Sequence, residues 1–174
     1  IEESLAEIID RRGKMEGYAL GLLRLGVGWI FLWAFLDKLF GLGFATKSAD
    51  AWIAGGSPTF GFLTFATKGP FAGFYGGLAG NVVVDWMFML GLLAIGLPLV
   101  LGIGIRIAAS IGVVMLTLMY TAGFIPPEHN PFLDDHVIYA IVMLGLVATA
   151  PGAYLGLGGL WAKTALVRRY PLLK

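Results

Sequence analysis

The sequence has no cysteine, only two histidines and little charge: Asp, Glu, Lys and Arg make up 13% of its 174 residues. Without cysteine there can be no disulfide, thiolate metal site, iron–sulfur cluster or thiol redox chemistry in this chain. The charge content is roughly half that of an average soluble domain. Twelve Lys and Arg against eleven Asp and Glu leave a net charge of +1, far from the basic footprint of a nucleic-acid binder. What is abundant is apolar: 58% of residues are hydrophobic and mean hydropathy is +0.84. A soluble globule of this size exposes too large a share of its area to hide that much apolar surface. The composition therefore points to a small integral membrane protein, a single domain over residues 1–174 with the lipid bilayer as its first partner.

A spanning helix needs roughly 20 apolar residues. Four stretches meet or approach that length, at about residues 17–39, 84–103, 105–124 and 136–150, the last reaching towards 155. None alternates as a barrel strand does. The expected fold is all-α, a four-helix transmembrane bundle over residues 17–155. Eight basic residues (Arg11, Arg12, Lys14, Arg106, Lys163, Arg168, Arg169 and Lys174) fall in the terminal segments and the second hairpin. The first and third loops hold few. The positive-inside rule then places both termini in the cytoplasm of a multi-pass cell-membrane protein.

Residues 1–16 carry Ile1, Leu5, Ile8 and Ile9 at helical spacing, and Ser4 with Glu7 has the spacing of a capping box. This reads as a cytoplasmic amphipathic helix, lying on the membrane or docking a partner. It is too acidic for the n-region of a secretory leader. Residues 156–174 form a basic tail with Trp161, the pattern of a surface helix on anionic lipid. Loop 1, about residues 41–83, is long and aromatic, with Phe44, Trp52, Phe60, Phe62, Phe65, Phe71, Phe74 and Tyr75. Short helices are expected near residues 49–54, from Ser57-Pro58 to about 68, and over 70–79. The rings serve either as interfacial anchors or as a lid over a ligand cavity. Gly17 and Gly21 have the spacing of a helix-dimer motif.

Two groups of polar residues need explaining. Arg24 lies about 10 Å into the first apolar run. It either bonds backbone carbonyls, such as those freed by Pro98, or faces a cavity and holds an anion or a quinone carbonyl. Asp37 and Lys38 close the first helix, Asp85 and Trp86 open the second, and Asp134, Asp135 and His136 open the fourth. An up-down bundle brings all three groups to the outer rim. They form either a structural ion-pair network, with Lys38 paired to Asp85 or Asp135, or a proton-accepting site for quinol chemistry with His136 as the titrating base. His129, Asp134, Asp135 and His136 are the best metal-ligand candidates, but their spacing matches no standard motif, so no metal is expected.

Taken together, these residues resemble a known family. Leu23 to Gly26, Phe31-Leu32 and Asp37 to Phe40 resemble the first helix of DoxX-type membrane proteins. Asn130 to His136 followed by Tyr139 is similar to the start of the last helix in the DoxD branch, and Gly102-x-Gly104-x-Arg106 to the family's second hairpin. The resemblance runs from about Gly17 to Tyr154. It implies a four-helix membrane subunit of a thiosulfate:quinone oxidoreductase, working with a small DoxA-type partner and passing electrons from thiosulfate to membrane quinone. Asp135 and His136 would be catalytic, and Arg24, Lys38, Asp85 and Trp86 would line the quinone pocket. Asp37, Asp85, Glu128, Asp134 and Asp135 on the rim would repel a thiosulfate dianion, so a partner would supply the thiosulfate site. The same features also suit an accessory subunit of a larger respiratory or photosynthetic membrane complex.

Overall fold

The computed structural model describes the backbone of residues 2–173 and side chains from residue 7 to residue 173. The described residues are helical, without strands. The order is α1 (Glu2–Phe40), α2 (Phe60–Phe65), α3 (Ala72–Gly76), α4 (Val82–Leu101), α5 (Ile105–Gly123), α6 (Asp135–Thr149), α7 (Gly158–Trp161) and α8 (Ala165–Arg169). Three helical stretches are long and apolar enough to cross a membrane: Glu7–Phe40, Val82–Leu101 and Ile105–Gly123. The fourth, α6, has 15 residues and is shorter than these.

The expected division between an amphipathic segment and a first span does not appear. One helix of 39 residues runs through both, and residues 7–16 are exposed on every side. Asp10 and Lys14 pair across one turn of this projecting part at 2.6 Å, which holds the Lys14 ammonium above its usual pKa. The expected capping box of Ser4 with Glu7, and the contributions of Ile1 and Leu5 to an apolar face, lie outside the described side chains.

The helices pack in the order α1–α4–α5–α6, each antiparallel to the next, and α1 barely meets α6. Glycine sets the closest approach. A Cβ on Gly28 would lie 2.8 Å from Leu99 Cβ, and one on Gly96 would fall on the backbone of Leu32. These two contacts fix the antiparallel register of α1 on α4. Gly112 makes room for Met143 in the same way between α5 and α6. Val27, Phe31, Met89, Leu92, Ile95, Leu99, Leu116, Met143 and Leu146 fill the core between them. Gly17 and Gly21, whose spacing suggested dimerisation, instead form a slot for Tyr154 of the same chain.

Asn81 caps α4 with a side-chain oxygen that accepts from Val83 and Val84, and Gly102 ends the helix in the left-handed region. Pro98 sits inside α4 without ending it. Loop 1 forms two 3-10 turns, Ser48–Asp50 and Trp52–Ala54, and then α2 and α3, which are shorter than the expected helices.

Gly96→Leu should lower the melting temperature in detergent by several degrees, because overpacking a tight contact typically costs about 1–3 kcal/mol. Gly26→Ala, which points into open space, should leave the melting temperature unchanged or slightly raised.

Candidate functional site

The polar residues singled out in the sequence divide between two ends of the helical body. Arg24 is alone at the end near the α4–α5 hairpin. Its side chain is fully buried, and Nη2 donates to the carbonyl oxygens of Leu155 (2.9 Å) and Tyr154 (3.3 Å). Nε and Nη1 have no partner among the described residues. A Cβ on Gly102 or Gly156 would strike Nη1, so bare backbone encloses the guanidinium. The C-termini of α4 and α6 converge here, and their partial negative charges favour a cation. Arg24 therefore ties the segment after α6 to α1, beside the end of α4, where Leu157 N donates to Leu101 O at 2.8 Å. The structure does not bring it to Trp86, Asp135 or His136. The twenty residues of α5 and its flanks that separate Gly104 from Phe124 place those groups about 30 Å away along the axis.

At the other end, two carboxylates organise loop 1. Asp37 is buried, and its oxygens accept from the backbone N–H groups of Phe44 (3.2 Å), Ala45 (2.9 Å) and Thr46 (2.9 Å). Asp85 is also buried. Its Oδ1 accepts from Ser57 Oγ (2.9 Å), Thr59 N (3.2 Å) and Thr59 Oγ1 (2.5 Å). The expected rim of five exposed carboxylates is thus reduced, because these two face inward to the loop. Lys38 is half-buried and forms no ion pair among the described residues, so neither expected partner, Asp85 or Asp135, holds it.

Trp86 is 53% exposed and meets Trp52 of loop 1 edge-on, with ring centroids 4.6 Å apart. Asp135 is exposed and makes no side-chain bond among the described residues. The residue that engages His136 is Asp134. One of its oxygens caps α6 by accepting from Val137 N at 3.1 Å, and the other lies 2.8 Å from His136 Nδ1. The two side chains are only 14% and 17% exposed. A carboxylate can only accept, so Nδ1 carries a proton towards Asp134, and Nε2 is the ring nitrogen left without a partner among the described residues. The imidazole packs on Phe124 with centroids 4.3 Å apart, and Phe124 stacks on Phe62 of α2 at 6.4 Å.

Loop 1 is tied down over this end. Lys68 N donates to Ala122 O at 3.1 Å, and Tyr75 Oη and Thr121 Oγ1 lie 2.7 Å apart. Gly123 fits against Ala66 O and the ring of Phe62. Other rings of the loop point outward, with Phe44 74%, Phe65 81% and Phe74 67% exposed. Loop 1 thus reaches the neighbourhood of His136 through Phe62, which stacks on Phe124, and turns other rings outward. His129 lies on the exposed third loop, and no group of three or more metal-ligating side chains assembles among the described residues.

The chain matches no family model, no curated protein and no solved structure.

Asp85→Ala should leave buried donors of Ser57 and Thr59 without an acceptor, at about 1–3 kcal/mol for each unpaired group. Limited proteolysis of the reconstituted protein should then cut faster around residues 55–60. Asp135→Ala should leave the cleavage pattern as it is in the parent protein.

Proposed function

We propose that this chain is a DoxX/DoxD-like membrane subunit that passes electrons to the quinone pool, with His136 as the proton-transfer group. The observation that carries this reading is the Asp134–His136 pair. It is mostly buried, its tautomer is set by a 2.8 Å contact, and an aromatic ring lies against the imidazole. Reduction of a quinone oxygen consumes a proton. A protonated His136 donates one from Nε2, and Asp134 stabilises the imidazolium before transfer. Oxidation of a quinol would use the same atom as acceptor. Trp86 and Trp52 would supply a flat apolar surface for a quinone ring at the same end of the helices. Arg24, at the opposite end of the helices, takes no part.

In this reading α6 is the fourth crossing. Its 15 residues span about 22 Å, less than the roughly 30 Å hydrocarbon core. The irregular chain that follows completes the distance. Non-helical backbone is tolerated at membrane depth only when it is packed in protein and its polar groups are satisfied. Pro151 and Gly152 are buried, and Arg24 supplies the donors for Tyr154 and Leu155. The distribution of basic residues puts both termini in the cytoplasm and His136 at the outer face. The chain contains no cysteine to carry sulfur covalently, so a DoxA-like partner would bind thiosulfate and deliver its electrons.

A second reading, an accessory subunit of a larger respiratory or photosynthetic membrane complex, draws on the projecting part of α1. Residues 7–16 are exposed along their whole length and offer a ready docking helix.

The enzyme reading is tested with the chain purified together with its partner, by following thiosulfate-driven reduction of a soluble quinone analogue. His136→Ala should slow turnover by about 100-fold or more, within the usual range for a lost acid–base group. Asp134→Asn preserves the helix cap but removes the charge, and should cost less, about tenfold. Undiminished turnover in a well-folded His136→Ala protein would reject the site. Migration of the chain only within a large complex, with thiosulfate oxidation unaffected by its deletion, would favour the accessory role.

A further inference from the structure

Arg106 starts α5 and plays no part in the site above. Its guanidinium makes no hydrogen bond or ion pair among the described residues, and its Nε is buried without a partner. It stands at the mouth of a groove of about 400 Å³ between α5 and α6, lined by Ile107, Ser110, Ile111, Val147 and Leu172. The Ser110 hydroxyl turns back onto Arg106 O at 2.8 Å, which leaves the groove wall almost entirely apolar. From Arg106 to Ile111 it runs about 7 Å along the helix axis towards the membrane centre.

The C-terminal segment builds the far wall. The indole N–H of Trp161 donates to Leu173 O at 2.5 Å, folding the Pro171–Leu173 turn back against α5. That turn places Leu172 at the groove and follows directly on the exposed Arg168 and Arg169. Charge in this sector has a single sign. No Asp or Glu occurs from His136 to Lys174, and none occurs in α5. An apolar slot that opens beside an arginine without a partner among the described residues, within a sector whose side chains include no Asp or Glu, is complementary to an acyl chain with an anionic headgroup.

We propose that this groove holds one anionic membrane lipid from the leaflet on the side of the termini. Its chain lies along Ile107, Ile111 and Val147, and its phosphate sits on Arg106. The bound lipid would complete the packing between α5, α6 and the C-terminal turn and supply the acceptor that the guanidinium lacks.

The test uses the full chain in nanodiscs of equal phosphatidylglycerol and phosphatidylcholine, followed by native mass spectrometry of the lipid retained after release. The parent protein should keep one phosphatidylglycerol per chain, preferred over phosphatidylcholine roughly fivefold, the scale expected for one interfacial cation. Arg106→Gln should abolish the preference. Val147→Trp fills the groove without changing charge and should abolish retention; Ile111→Phe serves the same purpose if circular dichroism shows the tryptophan variant misfolded. Three results would each overturn the proposal: parent protein without headgroup preference, an Arg106→Gln protein that keeps its preference, or groove-filled proteins that retain lipid as the parent does. The first would assign the groove to a neutral chain, and the last would reduce the effect to the surface charge of the tail.

Discussion

In an apolar surrounding no water is available to satisfy a stray donor or acceptor, so an ionisable side chain within the helical body is drawn to whatever partners the chain offers. That constraint organises this molecule. Arg24, Asp37 and Asp85 are all buried, and none of them forms an ion pair among the described residues. They bond mainly to backbone carbonyls, backbone N–H groups and loop hydroxyls. Each therefore fixes a segment that has no helical hydrogen bonds of its own: the chain after α6, the turn after α1 and the start of α2. The charged groups sit where the backbone is irregular, because that is where unpaired polar groups would otherwise be left.

Much of the helical framework could be read from the sequence, because a run of apolar residues signals its own length. The spans expected near residues 84–103 and 105–124 correspond to Val82–Leu101 and Ile105–Gly123. The start of α6 at Asp135 and its Asp134 cap also follow local chemistry. The first helix was misdivided for a definite reason. Polarity changes near Gly17, but a helix propagates through a change of polarity as long as no residue breaks its hydrogen bonds. Gly13 and Gly17, at about 1 kcal/mol each, are too weak as breakers.

The partners of the polar residues could not be read in the same way. A carboxylate that accepts three loop N–H groups leaves no periodic trace, since the donors are set by loop conformation rather than by residue type. Asp37 and Lys38 read as members of an ion-pair network, yet Asp37 turns to residues 44–46 and Lys38 forms no ion pair among the described residues. Asp134 and Asp135 are indistinguishable by type and adjacent in position. Only the cap geometry, which turns Asp134 back over the first turn of α6, decides which one meets His136. The Gly17–Gly21 pair shows the same limit. Its spacing signals close approach but does not say whether the visitor is a second helix or the ring of Tyr154.

The separation of Arg24 from His136 also limits what chemistry this chain can perform alone. A basic group and an acid–base pair in one pocket could bind an anionic donor and handle protons together. At opposite ends of the helices they cannot act on one small molecule. The end that holds loop 1 is left with a histidine, a carboxylate and aromatic rings, a set suited to moving a proton beside a flat apolar ligand. In the proposed reading another polypeptide engages the electron donor, since this chain offers no cysteine to hold sulfur. The outward rings of loop 1, Phe65 and Phe74, are carried on or beside the short helices α2 and α3, which Asp85 and Tyr75 tether to the main body. The same hydrogen bonds hold Phe62 against Phe124 and so against the ring of His136, which in the proposed reading would couple any partner met by the outward rings to that histidine.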